Sequence, residues 1–218
     1  SEYWYILIAV LIPMILTYLI YVAKGHYPFG GSSVLAIDLN GQYYGFFEAL
    51  RNFVVKGDNS LLYSFSRSLG GEFMGIYDYY IASPFSYVVC LFPEDRMLEA
   101  LLFMFMLKAG LCAGTMAFYL HKCDVRINRI AIVVFSVMYA LSAYSIVYQH
   151  NTMWIDAVIW LPLIMYGLEQ LVKYGKYKVY VTFLALTMIS QYYIGYMVCL
   201  TILIYFFAYL WGFKSSNN

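Results

Sequence analysis

The sequence is poor in charge. Of its 218 residues, 13 are Lys or Arg and 12 are Asp or Glu, 11% together, where a soluble domain carries roughly 25%. A net charge of +1 excludes a general polyanion binder, so no nucleic-acid partner is expected. Low-complexity tracts are absent, which excludes a disordered chain. Cysteine is scarce as well. Cys90, Cys112, Cys123 and Cys199 show no CxxC spacing and three of them lie in apolar runs, so they read as small apolar filler. The sequence has no Walker A loop, GxGxxG, HExxH or GxSxG. ATP-driven transport, Rossmann-type dinucleotide binding, zinc proteolysis and a hydrolase elbow therefore have no support. An Arg-rich voltage-sensor helix and a TVGYG filter are missing too.

What is abundant is apolar. Hydrophobic residues make up 63% of the chain and the mean hydropathy is +0.70. A water-soluble fold of this size cannot hide that much apolar surface, because burial is limited by surface-to-volume scaling. The chain reads as an integral membrane protein. Aromatic content is 21%, with 25 Tyr and 16 Phe, more than membrane anchoring requires.

A spanning helix needs about 20 mostly apolar residues. Residues 3–23 form a first uncharged span, kinked at Pro13. It is longer than a signal-peptide core and lacks a cleavage motif. Further spans are expected at 97–120, 130–148 and 153–172. After Lys178 comes an apolar stretch of 35 residues, about 52 Å as one helix and too long for a core of about 30 Å. The polar, Gly-containing QYYIGY (191–196) is its natural break, giving spans at 178–192 and 194–213. The expected fold is an all-α polytopic bundle of about six membrane helices in a single module. Loops 121–129 and 173–178 carry three Lys or Arg each, whereas 149–152 and 191–193 carry none. That alternation places both termini in the cytoplasm and the long first loop outside.

That first loop, 24–96, is too long to be a connector. Residues 39–57 place Tyr43, Phe46, Phe47, Leu50, Phe53 and Val54 at helical spacing, the pattern of an amphipathic helix on the membrane or against the bundle. Residues 79–91 are too few to span and contain Pro84, so an interfacial or re-entrant element is expected. The glycine-rich stretch 64–75 reads as a structured turn region.

Four positions carry candidate chemistry. Asp38, in IDLNG, is either the N-cap of the amphipathic helix or a carboxylate held at the membrane face as a general base. Lys108 lies mid-span, where an ionisable residue faces a partner or a cavity; it is a buried ion-pair member or a site for an anionic head group. In YQHNTMWID (148–156), His150 and Asp156 offer proton transfer or ligation, against a plain interfacial turn capped by Asn151 or Thr152. Gly110 and Gly114 form a GxxxG whose expected meaning is close helix packing.

Four ordered blocks carry a resemblance. The strings YPFGGSSVLAIDLNGQYYGFF, LLYSFSRSLGGEFMGIYDYYIASPFSYVVCLFP, NTMWIDAVIWLPLIMYGLEQL and SQYYIGYM together resemble the YfhO family of bacterial membrane proteins, over nearly the whole chain. Members of that family are similar to the GT-C glycosyltransferases, which take a sugar from a polyprenyl-phosphate carrier at the outer face of the membrane. YfhO-type proteins are associated with glycosylating cell-wall polymers such as lipoteichoic acid. The resemblance implies a catalytic acidic residue in the first outer loop, the position of Asp38. It also implies a cation for the lipid phosphate, for which Lys108, Arg67 and Arg96 are candidates, with His150 a further polar one. Some GT-C enzymes use a divalent metal and others do not. Asp38 with Asp78 or Asp156 would make an oxygen-rich site, but no spacing requires one and no cofactor is fixed.

Family members are longer, so the chain is expected to be the N-terminal membrane module of a longer protein. The implied function is sugar transfer from undecaprenyl phosphate to a cell-envelope polymer in the bacterial cytoplasmic membrane. The alternatives are a transporter or flippase for a lipid or envelope precursor, and a non-catalytic scaffold of an envelope-synthesis complex.

Overall fold

The computed structural model describes residues 3–57, 60–65, 69–123 and 127–216, with side chains as far as residue 212. Helix α1 (Trp4–Lys24) is apolar throughout and contains Pro13. It ends on Gly25, whose φ of 61° is left-handed, the conformation that lets a residue after a helix cap its last carbonyls.

The long first loop is built, not slack. A π-helical turn (Leu39–Tyr43) runs into α2 (Tyr44–Arg51) and a second π-helical turn (Asn52–Lys56). Two short strands, β1 (Tyr63–Ser64) and β2 (Gly71–Glu72), pair antiparallel with Tyr63 opposite Glu72. Helix α3 (Met74–Ile76) leads into a third π-helical turn (Tyr77–Ile81) and a 3-10 helix (Pro84–Leu91). That last element is capped by the Ser83 hydroxyl accepting from the Phe85 N–H at 3.1 Å. Its Ser86 and Val89 are buried, and its Phe85 stacks on Trp160 of the bundle at 5.5 Å between ring centres. The segment therefore dips into the bundle.

The amphipathic stripe of 39–57 is realised in part. Tyr43, Phe47 and Leu50 are buried and Phe46 packs against them, but Val54 is exposed. The reason is local: a π-helical turn is wider than an α-helical one, so the turn at Asn52–Lys56 rotates Val54 off the buried face.

Five helical stretches among the described residues are long and apolar enough to cross a membrane: Trp4–Lys24, Glu94–Lys122, Arg129–Val147, Thr152–Tyr174 and Tyr192–Gly212. Within them run α4 (Met97–Lys122), α5 (Arg129–Ala140), α6 (Ala143–Val147), α7 (Thr152–Tyr174) and α9 (Tyr192–Ser216). The stretch expected at 178–192 is α8 (Lys178–Ser190), of 13 residues. At about 20 Å it is shorter than a hydrocarbon core of about 30 Å. The break in QYYIGY falls on Gln191, whose backbone is extended. Its side chain accepts from the Tyr193 N–H at 2.6 Å and donates to the Tyr79 carbonyl at 3.4 Å. The break is thus capped and tied to the loop.

Helix α4 is the hub and packs on α1, α5 and α7; α7 in turn packs on α8 and α9. Glycine makes two of these approaches close. A Cβ on Gly114 would stand 2.8 Å from Val10 Cγ2, and one on Gly110 would stand 2.8 Å from Met14 Cγ. The GxxxG therefore seats α1 on α4. A Cβ on Gly167 would meet backbone instead, 2.4 Å from the Tyr180 nitrogen. Side chains yield and backbone does not. Gly167→Ala should therefore destabilise the protein by about 1–3 kcal/mol, and Gly110→Ala by clearly less. Thermal unfolding in detergent checks this ranking, and equal losses would contradict it.

Candidate functional site

Lys108 lies 11 residues into α4, about 17 Å along the helix, yet it meets the first turn of α7. Its Nζ is 2.6 Å from Asp156 Oδ1 and donates to the Thr152 carbonyl at 2.6 Å. The two side chains are 3% and 0% exposed. The Phe85 ring covers the ammonium at 5.5 Å, and the Ser83 hydroxyl lies beside the same carboxylate. Lys108 thus holds α4, α7 and the segment that starts the 3-10 helix together, and its charge is balanced by Asp156.

Asp38 occupies the N-cap position of the turn Leu39–Tyr43, but its side chain makes no cap hydrogen bond. Its Oδ2 lies 3.4 Å from the Tyr43 hydroxyl, which also lies 3.2 Å from Asn151 Oδ1. One phenolic proton is shared between two acceptors. Burial first, and the charge of Asp38 second, push the Tyr43 phenol well above its ordinary range. It remains a donor at any physiological pH. The residue before Asp38 is also unusual. Ile37 has φ 51° and is 74% exposed, a left-handed backbone that a β-branched residue adopts only under constraint. Such strain concentrates at functional positions.

Around this carboxylate the aromatic excess converges. Tyr80 packs on Tyr43 at 5.4 Å and on Phe46 at 5.2 Å. Tyr79 packs on Tyr80 at 4.6 Å and on Tyr192 of α9 at 5.4 Å. The helical segment that starts at Asp38 borders a hollow of about 360 Å³ between Gln42, Phe46, Glu48 and Phe73. A half-buried carboxylate, a fixed phenol donor and aromatic faces together can accept a proton and hold a polyhydroxyl compound.

The other candidates are dispersed. Arg96 is exposed in a single 3-10 turn (Glu94–Arg96), Asp78 is exposed, and His150 is half-buried in the turn before α7. Arg67 lies outside the described residues. Among the described residues no three of His, Cys, Asp and Glu come together as a metal-binding group, and Asp156 has Lys108 for its counter-ion.

Several polar residues of the structure escape sequence reading. Tyr43 and Asn151 meet across 108 positions, and no local pattern marks such a pair. Arg51 is buried and donates through Nε to the Phe92 carbonyl at 2.8 Å. Glu169, near the far end of α7, accepts at Oε1 from Tyr119 at 2.9 Å and from Tyr205 at 2.6 Å. A Glu inside an apolar span was the available signal for the last.

The family model described as bacterial membrane protein YfhO matches residues 9–218. No curated protein and no solved structure matches the chain.

The buried pair has a clear mutational signature. Removing one partner leaves an uncompensated charge, which costs about 3–5 kcal/mol, whereas replacing both with apolar groups is often neutral. Lys108→Met alone should lower thermal stability sharply, and adding Asp156→Leu should restore most of it. A double variant as unstable as the single one would show that the pair does not act as a unit.

Proposed function

The chain belongs to the YfhO family of bacterial membrane proteins, and on that footing we propose that it is the membrane module of a lipid-linked-sugar glycosyltransferase. The donor is a polyprenyl-phosphate-linked sugar and the acceptor a cell-envelope polymer such as lipoteichoic acid. The observation that carries this reading is the Asp38 carboxylate, spent on no helix cap and held by the Tyr43 phenol at the loop end of the bundle. The acceptor hydroxyl attacks the anomeric carbon, Asp38 takes its proton, and the lipid phosphate departs with the electrons of the broken C–O bond. Tyr43 orients the base without competing for the proton, because its own proton stays in place. The aromatic faces of Tyr79, Tyr80 and Tyr192 suit the stacking of sugar rings. Lys and Arg concentrate in the loops 121–129 and 173–178, which supports cytoplasmic termini and an external Asp38. With Lys108 committed to Asp156, Arg96 and Arg67 are the remaining cations for the phosphate.

A second reading, a transporter or flippase for an envelope precursor, draws on the Lys108–Asp156 pair, since buried ionisable pairs line substrate and ion paths in membranes. Activity separates the two. Asp38→Asn should reduce sugar transfer from the lipid-linked donor by at least about 100-fold, the scale of general-base catalysis, with thermal stability unchanged. Undiminished incorporation would remove Asp38 from the chemistry. Tyr43→Phe should lower the rate less, by about tenfold, through loss of one positioning hydrogen bond.

A further inference from the structure

The helical segment that starts at Asp38 has two uses. Tyr43, Phe47 and Leu50 are buried in the core, whereas Gly41, Gln42, Gly45 and Glu48 line the hollow of about 360 Å³. Phe73, beyond the short strands, closes its other side. The lining takes no described residue from the membrane-spanning helices. The hollow therefore belongs to the outer loop alone, and its size falls within the range of small-molecule pockets, about 300–1,000 Å³.

The polar groups on its wall select the occupant. Glu48 is half-buried, and its carboxylate has neither an ion pair nor a hydrogen bond with any described residue. Gln42 adds an amide that both donates and accepts. The lining holds no Lys, Arg or His. A phosphate would face a bare carboxylate with no cation to offset it, so an anion is disfavoured. A hydrocarbon chain would strip water from Glu48 and Gln42 and return no hydrogen bond. A simple ammonium gains little from one carboxylate in contact with water, and it leaves the amide and the aromatic walls unused. A sugar ring uses every part. Its hydroxyls donate to the carboxylate and exchange hydrogen bonds with the amide, while its C–H face lies on Phe46 and Phe73.

We infer that this hollow holds one uncharged pyranose unit of the acceptor polymer. Its assignment to the acceptor, though not the sugar site itself, rests on the transferase reading above. The Gly41 N–H donates to the Ile37 carbonyl at 3.1 Å, so the hollow begins within one helical turn of Asp38. A polymer seated there is held beside the proposed base. The acceptor then carries sugar already, and the phosphates of an anionic polymer stay outside the hollow.

Saturation-transfer NMR on the full chain in nanodiscs tests it, with uncharged methyl pyranosides of gluco, galacto and manno configuration as probes. At least one should receive saturation above that seen with empty nanodiscs. A Cβ on Gly45 would meet nothing within 4 Å, so a side chain there grows into open space. Gly45→Leu should abolish the transfer with thermal stability retained. Glu48→Gln should weaken binding about three- to tenfold, as expected for the loss of a charge-assisted hydrogen bond. Asp38→Asn should leave binding unchanged. No transfer to any probe, or transfer undiminished in both the Gly45 and Glu48 variants, would overturn the site. Displacement of the glycoside by an equal concentration of glycerol phosphate or of ethanolamine would overturn the choice of an uncharged ligand. The two readings fail separately. Absent glycoside binding with sugar transfer lost in Asp38→Asn strikes the hollow alone, and glycoside binding with undiminished transfer in Asp38→Asn strikes the base alone.

Discussion

One buried ion pair organises the centre of this protein. Two full charges without water are tolerable only when each finds the other and both find further polar contacts. Lys108 and Asp156 meet each other at 2.6 Å, and the ammonium finds the Thr152 carbonyl and the Phe85 ring as well. These groups come from three separate parts of the chain, so each part must be in place for the pair to be satisfied. The start of the 3-10 helix Pro84–Leu91 is held in the bundle by the same requirement that joins α4 to α7. The turn before α7, which carries Asn151, is held with it. Through Tyr43 that turn reaches Asp38, so the geometry of the loop carboxylate rests on a charge pair elsewhere in the bundle.

The large features were legible in the sequence because they depend on composition and local pattern. Uncharged runs of about 20 residues marked the long helices, and the polar QYYIGY marked the break at Gln191. Gly110 and Gly114 announced a close helix contact, and the structure adds that the partner is α1, through Met14 and Val10. Mid-span Lys108 left open an ion pair or an anion site, and the structure gives it Asp156 as its partner. Asp156 lay 48 positions away in a segment with its own plausible role as a turn residue, and nothing local linked the two. Helical spacing placed Val54 on the apolar stripe but could not show the π-helical turn at Asn52–Lys56, in which Val54 is exposed. Whether Asp38 caps its helix needed coordinates, since a cap and a free carboxylate stand at the same helix start; its side chain makes no cap hydrogen bond.

The aromatic residues sharpen the same lesson. Their number identified no site, and membrane belts alone would use many of them. Their placement does more. Tyr43, Phe46, Tyr79, Tyr80 and Tyr192 come from three stretches of sequence and form one contiguous cluster beside Asp38. The Gln191 break matters here, because it sets Tyr192 at the head of α9 while tying that head to the Tyr79 carbonyl. A helix interruption that looked like a topological necessity also completes the aromatic surface.

The Glu169 cluster gives the bundle a second polar fixture with its own consequence. Asp156 and Glu169 are 13 residues apart on α7, about 20 Å, and their partners Lys108 and Tyr119 are 11 apart on α4, about 17 Å. Two fixtures spaced along a pair of helices act like two keys on a shaft. A slip by one turn would break both at once, and so would a twist of either helix about its axis. Helices α4 and α7 are thereby confined to moving as one body. Any opening of the protein must be hinged on the parts outside that pair: α1 on one flank, and α8 with α9 on the other.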